Sequence, residues 1–445
     1  MQRLIIGTIF LLHTFTAAFA AEVSKPNVLL IIADDMGLDA SPCYDVAADK
    51  PNMPNLEELC QNGLVFDNFY TSPMCSPTRA TMITGRYGFR TGVGTAVGRN
   101  SANGLDLSET TLFQALSEHA PDYSHAVIGK WHLATRDNGM ANHPELAGVG
   151  HYEGLLTGTL DDYSNWQRTQ NGASTQVNEY ITTSLTNSAL NWIDQQGNQP
   201  WFLWLAHVAP HTPFHLPPAG LYSDDGLTGT QRDIRSQPTK YYFAALEALD
   251  HELGRLFAQM DQQVLDNTIV MFLGDNGSPN RSAQFPYERG KVKASIFEGG
   301  VNTPLIVSGP GLLRKGDRES GLVNSTDIFA TIADLVGIEK SQIGSAEDSI
   351  SFKPLLFSEE GAGLNESSRR FAYVEHFGSS EGRAGQRRKD QYGWAIRDDQ
   401  YKYIKLDNGN EYLFDLANDP FEQSNILKEY PTIAEKLRDL RQNIQ

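Results

Sequence analysis

Several apolar runs in the chain stop abruptly at polar or charged residues. The run at 28–33 ends in Asp34-Asp35, and that at 124–129 in Lys130-Trp131-His132. The run at 201–206 meets His207 and a proline-rich loop, and that at 268–274 meets Asp275-Asn276-Gly277. Short, nearly continuous apolar runs fit strands buried on both faces, as in a parallel sheet. Helical spacing alternates with them. Leu112, Ala115 and Leu116 mark one helix, and Val177, Ile181, Leu185, Ala189 and Trp192 a second. Phe243, Leu246, Leu249, Leu253, Phe257 and Met260 mark a long third, and 327–336 a fourth that Gly337 ends. Alternation of this kind predicts an α/β fold with helices on both sheet faces. Ligands of such sheets bind beyond the carboxyl ends of the strands, where these polar clusters fall.

Beyond about Lys340 the texture changes. Segments 341–363 and 379–389 are polar, with strand-like runs at 401–406 and 411–416 joined by an Asp407-Asn408-Gly409-Asn410 turn. A helix is expected over 432–444. The reading is a catalytic domain over 21–340 and a smaller C-terminal antiparallel-sheet subdomain with a helix over 341–445. Residues 1–20 read as a signal peptide: Arg3, an apolar run, then the small-x-small site Ala18-Phe19-Ala20. The expected mature protein is soluble and exported, periplasmic or secreted, with no membrane span.

The chain has 445 residues, 54 Asp+Glu against 36 Lys+Arg, and a formal charge of −18. That balance argues against a nucleic-acid partner, because phosphate contacts need excess basic residues. An anionic substrate stays possible if cations gather at its site. The three cysteines, Cys43, Cys60 and Cys75, make no disulfide framework and no zinc spacing. Cys43 and Cys60 read equally as a bridge or as two free thiols.

Asp34-Asp35 and Asp275-Asn276 are oxygen ligands at two strand ends, a set that suits Ca²⁺ or Mg²⁺. Taken singly, each pair also fits turn chemistry. Cys75-Ser76-Pro77-Thr78-Arg79 reads as a helix start, with Cys75 at the positive end and Arg79 one turn on, favourable to an anion. An inert buried thiol is the alternative. His207, His211 and His215 are four apart, but Pro210, Pro213, Pro217 and Pro218 exclude a helical metal face. One of the three fits an acid or base role. Lys130 and His132 can point the same way, and Lys293 precedes Glu298-Gly299-Gly300.

Cys75-x-Pro77-x-Arg79 through Gly85 resembles the signature of the type I, formylglycine-dependent sulfatases, and Gly129-Lys130-Trp131-His132-Leu133 resembles their second. Asp34-Asp35-x-Gly37, Pro210-His211-Thr212-Pro213, Gly274-Asp275-Asn276-Gly277, Lys293 and Glu298-Gly299-Gly300 follow in the family's order. So does the tail, with Tyr401-Lys402, Tyr412-Leu413-Phe414-Asp415-Leu416 and Asp419-Pro420-x-Glu422. The likeness runs from Asn27 to about Leu427. One position departs: the family often has Arg where this chain has Asn302, a site read as core support.

The resemblance implies an alkaline phosphatase-like fold, with a large mixed, mostly parallel sheet flanked by helices. It implies sulfate-ester hydrolysis at S–O, on a sulfated saccharide or polysaccharide. Cys75 would be oxidised to Cα-formylglycine by a separate maturation enzyme, a transient partner, and its hydrate would be the nucleophile. Asp34, Asp35, Asp275, Asn276 and residue 75 would hold Ca²⁺, with Mg²⁺ less favoured. Arg79 would orient residue 75, and Lys130 and Lys293 would clamp sulfate oxygens. His132 would be the base and His211 the acid at the leaving oxygen. Segments 90–105, 136–170 and 214–239, loop-like stretches near the expected site, are the candidates for sugar recognition. Two other readings stay open: a phosphoesterase or phosphonate monoester hydrolase of the same superfold, and a silent sulfated-glycan-binding protein. Formal sequons at Asn276, Asn280, Asn324 and Asn365 carry no weight, and Asn276 is an expected ligand.

Overall fold

Residues 27–33 are apolar on both sides, and the chain buries both. Val28, Leu30 and Ile32 pack into one core, and Leu29, Ile31 and Ala33 into the other, on the opposite face of the sheet. In the computed structural model, which describes residues 25–101, 103–223, 226–359, 369–378 and 390–444, this strand (Asn27–Ala33) lies at the centre of a ten-stranded sheet. Trp201–Ala206 and Thr268–Gly274 flank it in parallel. Ser124–Gly129 and His151–Gly154 extend the parallel block. Antiparallel strands close both edges: Leu305–Ser308 beside Thr268–Gly274, and Trp166–Gln170 beside His151–Gly154. All four expected strands are present and parallel, so their carboxyl ends open on one side. The expected signal segment and the Asn365 sequon lie outside the described residues.

The helices sit on the two faces. Cys75–Thr84, Leu112–His119 and Asp327–Leu335 cover one, Ile181–Gln196 and Pro238–Gln259 the other. Thr111 caps its helix with a full capping box to Gln114. One reading is corrected. Val177 does not belong to the helix that starts at Ile181; it ends the strand Ala173–Val177, which pairs with Trp166–Gln170 across Asn171-Gly172. Both turn residues have positive φ, the condition of a tight hairpin.

The C-terminal part is a four-stranded antiparallel sheet, Ala372–His376, Gly393–Arg397, Tyr401–Leu406 and Glu411–Asp415. One face packs Ile396, Tyr403 and Leu413 on Ala434 and Leu437 of the helix Pro431–Gln442. The other packs Ala395, Ile404 and Phe414 on Ile296, Phe297 and Val301 of the main body. Lys402 bridges this junction, buried between Glu298 (2.8 Å) and Glu422 (2.9 Å). Cys43 and Cys60 form a disulfide.

Candidate active site

Four strand ends and one helix start converge. Asp34 and Asp35 follow Asn27–Ala33, Lys130 and His132 follow Ser124–Gly129, and His211 lies in the loop after Trp201–Ala206. Asp275 and Asn276 follow Thr268–Gly274, and Cys75 opens the helix Cys75–Thr84. Cys75 Sγ lies 3.1 Å from Asp34 Oδ1, 3.7 Å from Asp35 Oδ1 and 3.8 Å from Lys293 Nζ. Lys130 Nζ donates to Asp34 Oδ2, and Lys293 Nζ to Asp35 Oδ1. Asn276 Nδ2 donates to Asp35 Oδ1 at 2.8 Å, and His211 Nε2 is 3.8 Å from Asp35 Oδ2. Arg79, wholly buried, pairs with Asp275 at 2.8 Å and donates to the Lys130 carbonyl. Every residue expected at the site from the sequence is in this cluster. His207 and His215 are not: His207 is buried, and His215 stacks on Tyr163 one layer out.

Getting there strains the chain. Asp35, His132 and Ala294 have φ of 75°, 62° and 71°, and none is glycine. Non-glycine residues at positive φ cost energy and persist where packing over-determines them, often at functional sites. Close approach matters as much. A Cβ at Gly158 would fall 2.0 Å from His132 Nε2, so that loop can lie over the ring only as glycine.

Burial pushes the Cys75 thiol well up, and Asp275 and Asp34 push it further. A plain thiol here stays protonated and is a poor nucleophile. Burial also pushes Asp35 up, but Lys293, His211 and Lys130 outweigh it and hold the carboxyl below its usual range. Asp275 goes the other way, raised to about 6 by burial and by Asp34. Burial, then Lys293, depresses His211 to about 3, and His132 is depressed by burial, then by Lys130 and Arg79. Crowded carboxylates with opposite shifts are what a divalent cation relieves.

The donor set fits one. Ligand atoms of Asp34, Asp35, Cys75 and His211 lie within 4.8 Å of one another. Asp35 Oδ2 and Asn276 Oδ1 are buried and accept no hydrogen bond among the described residues. Asp275 is more committed: Oδ2 accepts from Arg79, and Oδ1 from the Asp35 N–H at 3.0 Å.

Several neighbours carry no sequence signal. Tyr163 OH donates to the His211 carbonyl, and Tyr242 OH donates to the Asp35 carbonyl at 2.8 Å. Both tyrosines are ordinary core aromatics on pattern alone. Asn302 is buried, with Nδ2 donating to the Asp67 carbonyl and to Glu298 at 3.2 Å, in keeping with core support. Asn276 and Asn324 are also buried, which rules out glycosylation of the folded chain there.

A doubly covered α/β sheet with a buried acid-and-cation pocket at its carboxyl ends defines a hydrolase of the alkaline phosphatase-like class. Residues 26–338 match the Sulfatase family model, and 292–445 match that of the N-sulphoglucosamine sulphohydrolase C-terminal region. The chain belongs to the sulfatase family, and is a sulfuric ester hydrolase. It is similar to the arylsulfatase of Klebsiella aerogenes, 26% identical over 76% of this chain and 91% of that protein. The N-acetylgalactosamine-6-O-sulfatase of Bacteroides thetaiotaomicron is 25% identical over 95% and 93%. The human N-acetylgalactosamine-6-sulfatase is 29% identical, with 74% of this chain matched to 66% of its length. Among solved structures, Ps i-CgsB in complex with k-i-k-neocarrahexaose superposes with TM-score 0.77 at 25% identity, over 95% of this chain and 93% of that one.

Proposed function

We propose that the protein hydrolyses sulfate esters on a saccharide or polysaccharide, using Cα-formylglycine made from Cys75 together with Ca²⁺. The observation that carries the reading is residue 75 itself. It opens a helix against two carboxylates and a lysine, in a pocket that keeps its thiol protonated. Oxidation to the aldehyde hydrate supplies a hydroxyl nucleophile where a thiol would be idle, and a divalent cation there would lower that hydroxyl's pKa and offset sulfate charge. Asp34, Asp35, Asp275 and Asn276 would hold the cation. Saccharide substrates are supported by the names of similar proteins, an N-acetylgalactosamine-6-sulfatase, an N-acetylgalactosamine-6-O-sulfatase and a protein solved in complex with k-i-k-neocarrahexaose.

The chain's own groups divide the work. Lys130 and Lys293 hold sulfate oxygens as charge builds on them. Arg79 fixes the helix start through Asp275 and the Lys130 carbonyl, and so orients residue 75. His211 Nδ1–H donates to the Thr212 carbonyl at 2.6 Å, which leaves Nε2 facing the Asp35 carboxylate. The ring acts as the acid once Nε2 is also protonated, a form that Asp35 and an anionic sulfate ester favour, and Nε2–H then gives its proton to the leaving oxygen. His132 would take the proton of the remaining hydroxyl of the residue-75 hydrate as sulfate is expelled and the aldehyde returns. The catalytic unit is 21–340 and the C-terminal subdomain 341–445. Export is supported by the signal-type start and by the Cys43–Cys60 bridge, which belongs in an oxidising compartment. Among the described residues no helix is long and apolar enough to cross a membrane.

The test is the mass of the peptide holding residue 75, from protein made beside a working maturation enzyme. Formylglycine there is the expected result. An unmodified cysteine would overturn the mechanism and favour the silent binding protein.

A further inference from the structure

Several arginines of this acidic protein reach a carboxylate, Arg86, Arg90, Arg168, Arg314, Arg318 and Arg369 among them. Arg99 and Arg136 do not. Both are exposed, and neither forms an ion pair among the described residues, although Asp137 adjoins Arg136 in sequence. Neighbouring unpaired cations repel, and a chain of net charge −18 offers many carboxylates that could have quenched them.

The backbone brings the two residues together. Arg136 N–H donates to the Arg99 carbonyl at 3.1 Å. The platform under them is cross-braced. Leu105 N–H donates to the Leu133 carbonyl at 3.1 Å, and Asn138 Nδ2 donates to the carbonyls of Leu105 (2.9 Å) and Leu133 (3.0 Å). A Cβ at Gly104 would come within 2.5 Å of Asn138 Nδ2, so the two loops lie in close contact.

The same platform is bolted to the catalytic pocket. Ser76 Oγ, next to Cys75, donates to the His132 carbonyl at 2.8 Å and accepts from Val97 N–H at 2.9 Å. Val97 is two residues before Arg99, and His132 four before Arg136. Arg99 and Arg136 therefore belong to loops tied to the start of the nucleophile helix and to the His132 strand end.

We propose that Arg99 and Arg136 form a second anion subsite beside the sulfate pocket, which takes the sulfate or carboxylate of a saccharide unit adjoining the one hydrolysed. The substrate class is then a polyanionic glycan chain rather than an isolated sulfated sugar. This rests on the saccharide reading above. A guanidinium pair matches such groups because each fork can donate two parallel hydrogen bonds to an oxyanion.

Binding to full-length Cys75→Ala protein tests it without turnover, by fluorescence anisotropy with labelled dextran sulfate, polygalacturonate and neutral dextran. Whether residue 75 is modified is read separately, so failure of the sulfatase reading cannot be mistaken for failure here. Dextran sulfate or polygalacturonate should bind, which distinguishes sulfate from carboxylate as the favoured group, and dextran should not. Arg99→Ala with Arg136→Ala should weaken the charged probe by about 10–100-fold and flatten its salt dependence. Arg99→Lys with Arg136→Lys should recover part of the loss, and Lys340→Ala, which removes an exposed cation elsewhere, should bind as wild type does. An unchanged Kd in the double alanine variant, at matched Tm, would overturn the proposal. So would equal binding of dextran.

Discussion

The ring of His215 lies on that of Tyr163, with centroids 3.6 Å apart and planes 21° from parallel. His215 is itself fixed at both nitrogens: Nδ1–H donates to the Pro213 carbonyl at 3.2 Å, and Nε2 accepts from Tyr180 OH at 3.0 Å. Tyr163 passes this rigidity inward, since its hydroxyl donates to the carbonyl of His211 and to that of Val208 at 3.3 Å. Tyr163→Phe keeps the stack and removes the donor. If His211 is the acid, the variant should lose about tenfold in kcat/KM on esters of poor leaving groups and much less on aryl sulfates. His211→Ala should show the same pattern more steeply. The measurement is log kcat/KM against leaving-group pKa; a slope equal to wild type would take Tyr163 out of any positioning role.

Removing divalent cations should inhibit the enzyme and lower its Tm. Asp34, Asp35 and Asp275 share one buried site, and Asp275 is raised to about 6 in part by Asp34. Without a cation the remaining counter-charges are Lys130, Lys293 and Arg79. Dialysis against a chelator, then differential scanning calorimetry with and without added Ca²⁺, reads both effects. Recovery of Tm and rate by Ca²⁺ is expected. A Tm indifferent to chelator and to Ca²⁺ would remove the cation from the site.

Much of this site can be read from sequence because its parts are local. Asp34-Asp35 follows an apolar run that can only be an interior strand, and Cys75-x-Pro77-x-Arg79 builds its own helix start. What sequence hides is set by distant contacts. The bridge between Cys43 and Cys60 depends on a Cα separation of 6.2 Å that the fold alone decides. Val177 has helical spacing with Ile181, yet Asn171-Gly172 turns that segment into a hairpin. Positive φ at Asp35 and His132 runs against local preference, and surrounding packing enforces it. Tyr163 reaches His211 across 48 residues, and nothing periodic marks it.

The C-terminal sheet carries a pH-dependent weakness. Glu375 is buried, accepting from Phe89 N–H at 2.7 Å and Tyr373 OH at 3.0 Å, and burial raises its carboxyl to about 7. A folded pKa above the unfolded value means that the unfolded chain gives up its proton first. Stability therefore falls as pH rises from about 4.5 toward 7 and stays reduced above, by about 3 kcal/mol. Glu375→Gln should remove that loss. Its Tm should exceed wild type at pH 8, and the gap should close by pH 5. A gap of equal size at both pH values would show that ionisation of Glu375 is not the cause.

His207 stands at the end of the strand Trp201–Ala206 and is 1% exposed, and among the described residues neither ring nitrogen has a hydrogen-bond partner. Burial depresses its pKa to about 3, so the ring is neutral in the folded state. A neutral imidazole still carries one donor and one acceptor, and each left unmet in the interior costs about 1–3 kcal/mol. Its neighbours along the strand are apolar, with Leu203 and Leu205 in the core on the face to which position 207 alternates. His207→Leu should therefore raise stability, because it removes two unmet polar atoms and keeps an apolar body of similar bulk. Urea unfolding with the slope m unchanged would report the gain as a higher midpoint. A lower midpoint would mean that the imidazole is satisfied in solution, by ordered water held at this strand end.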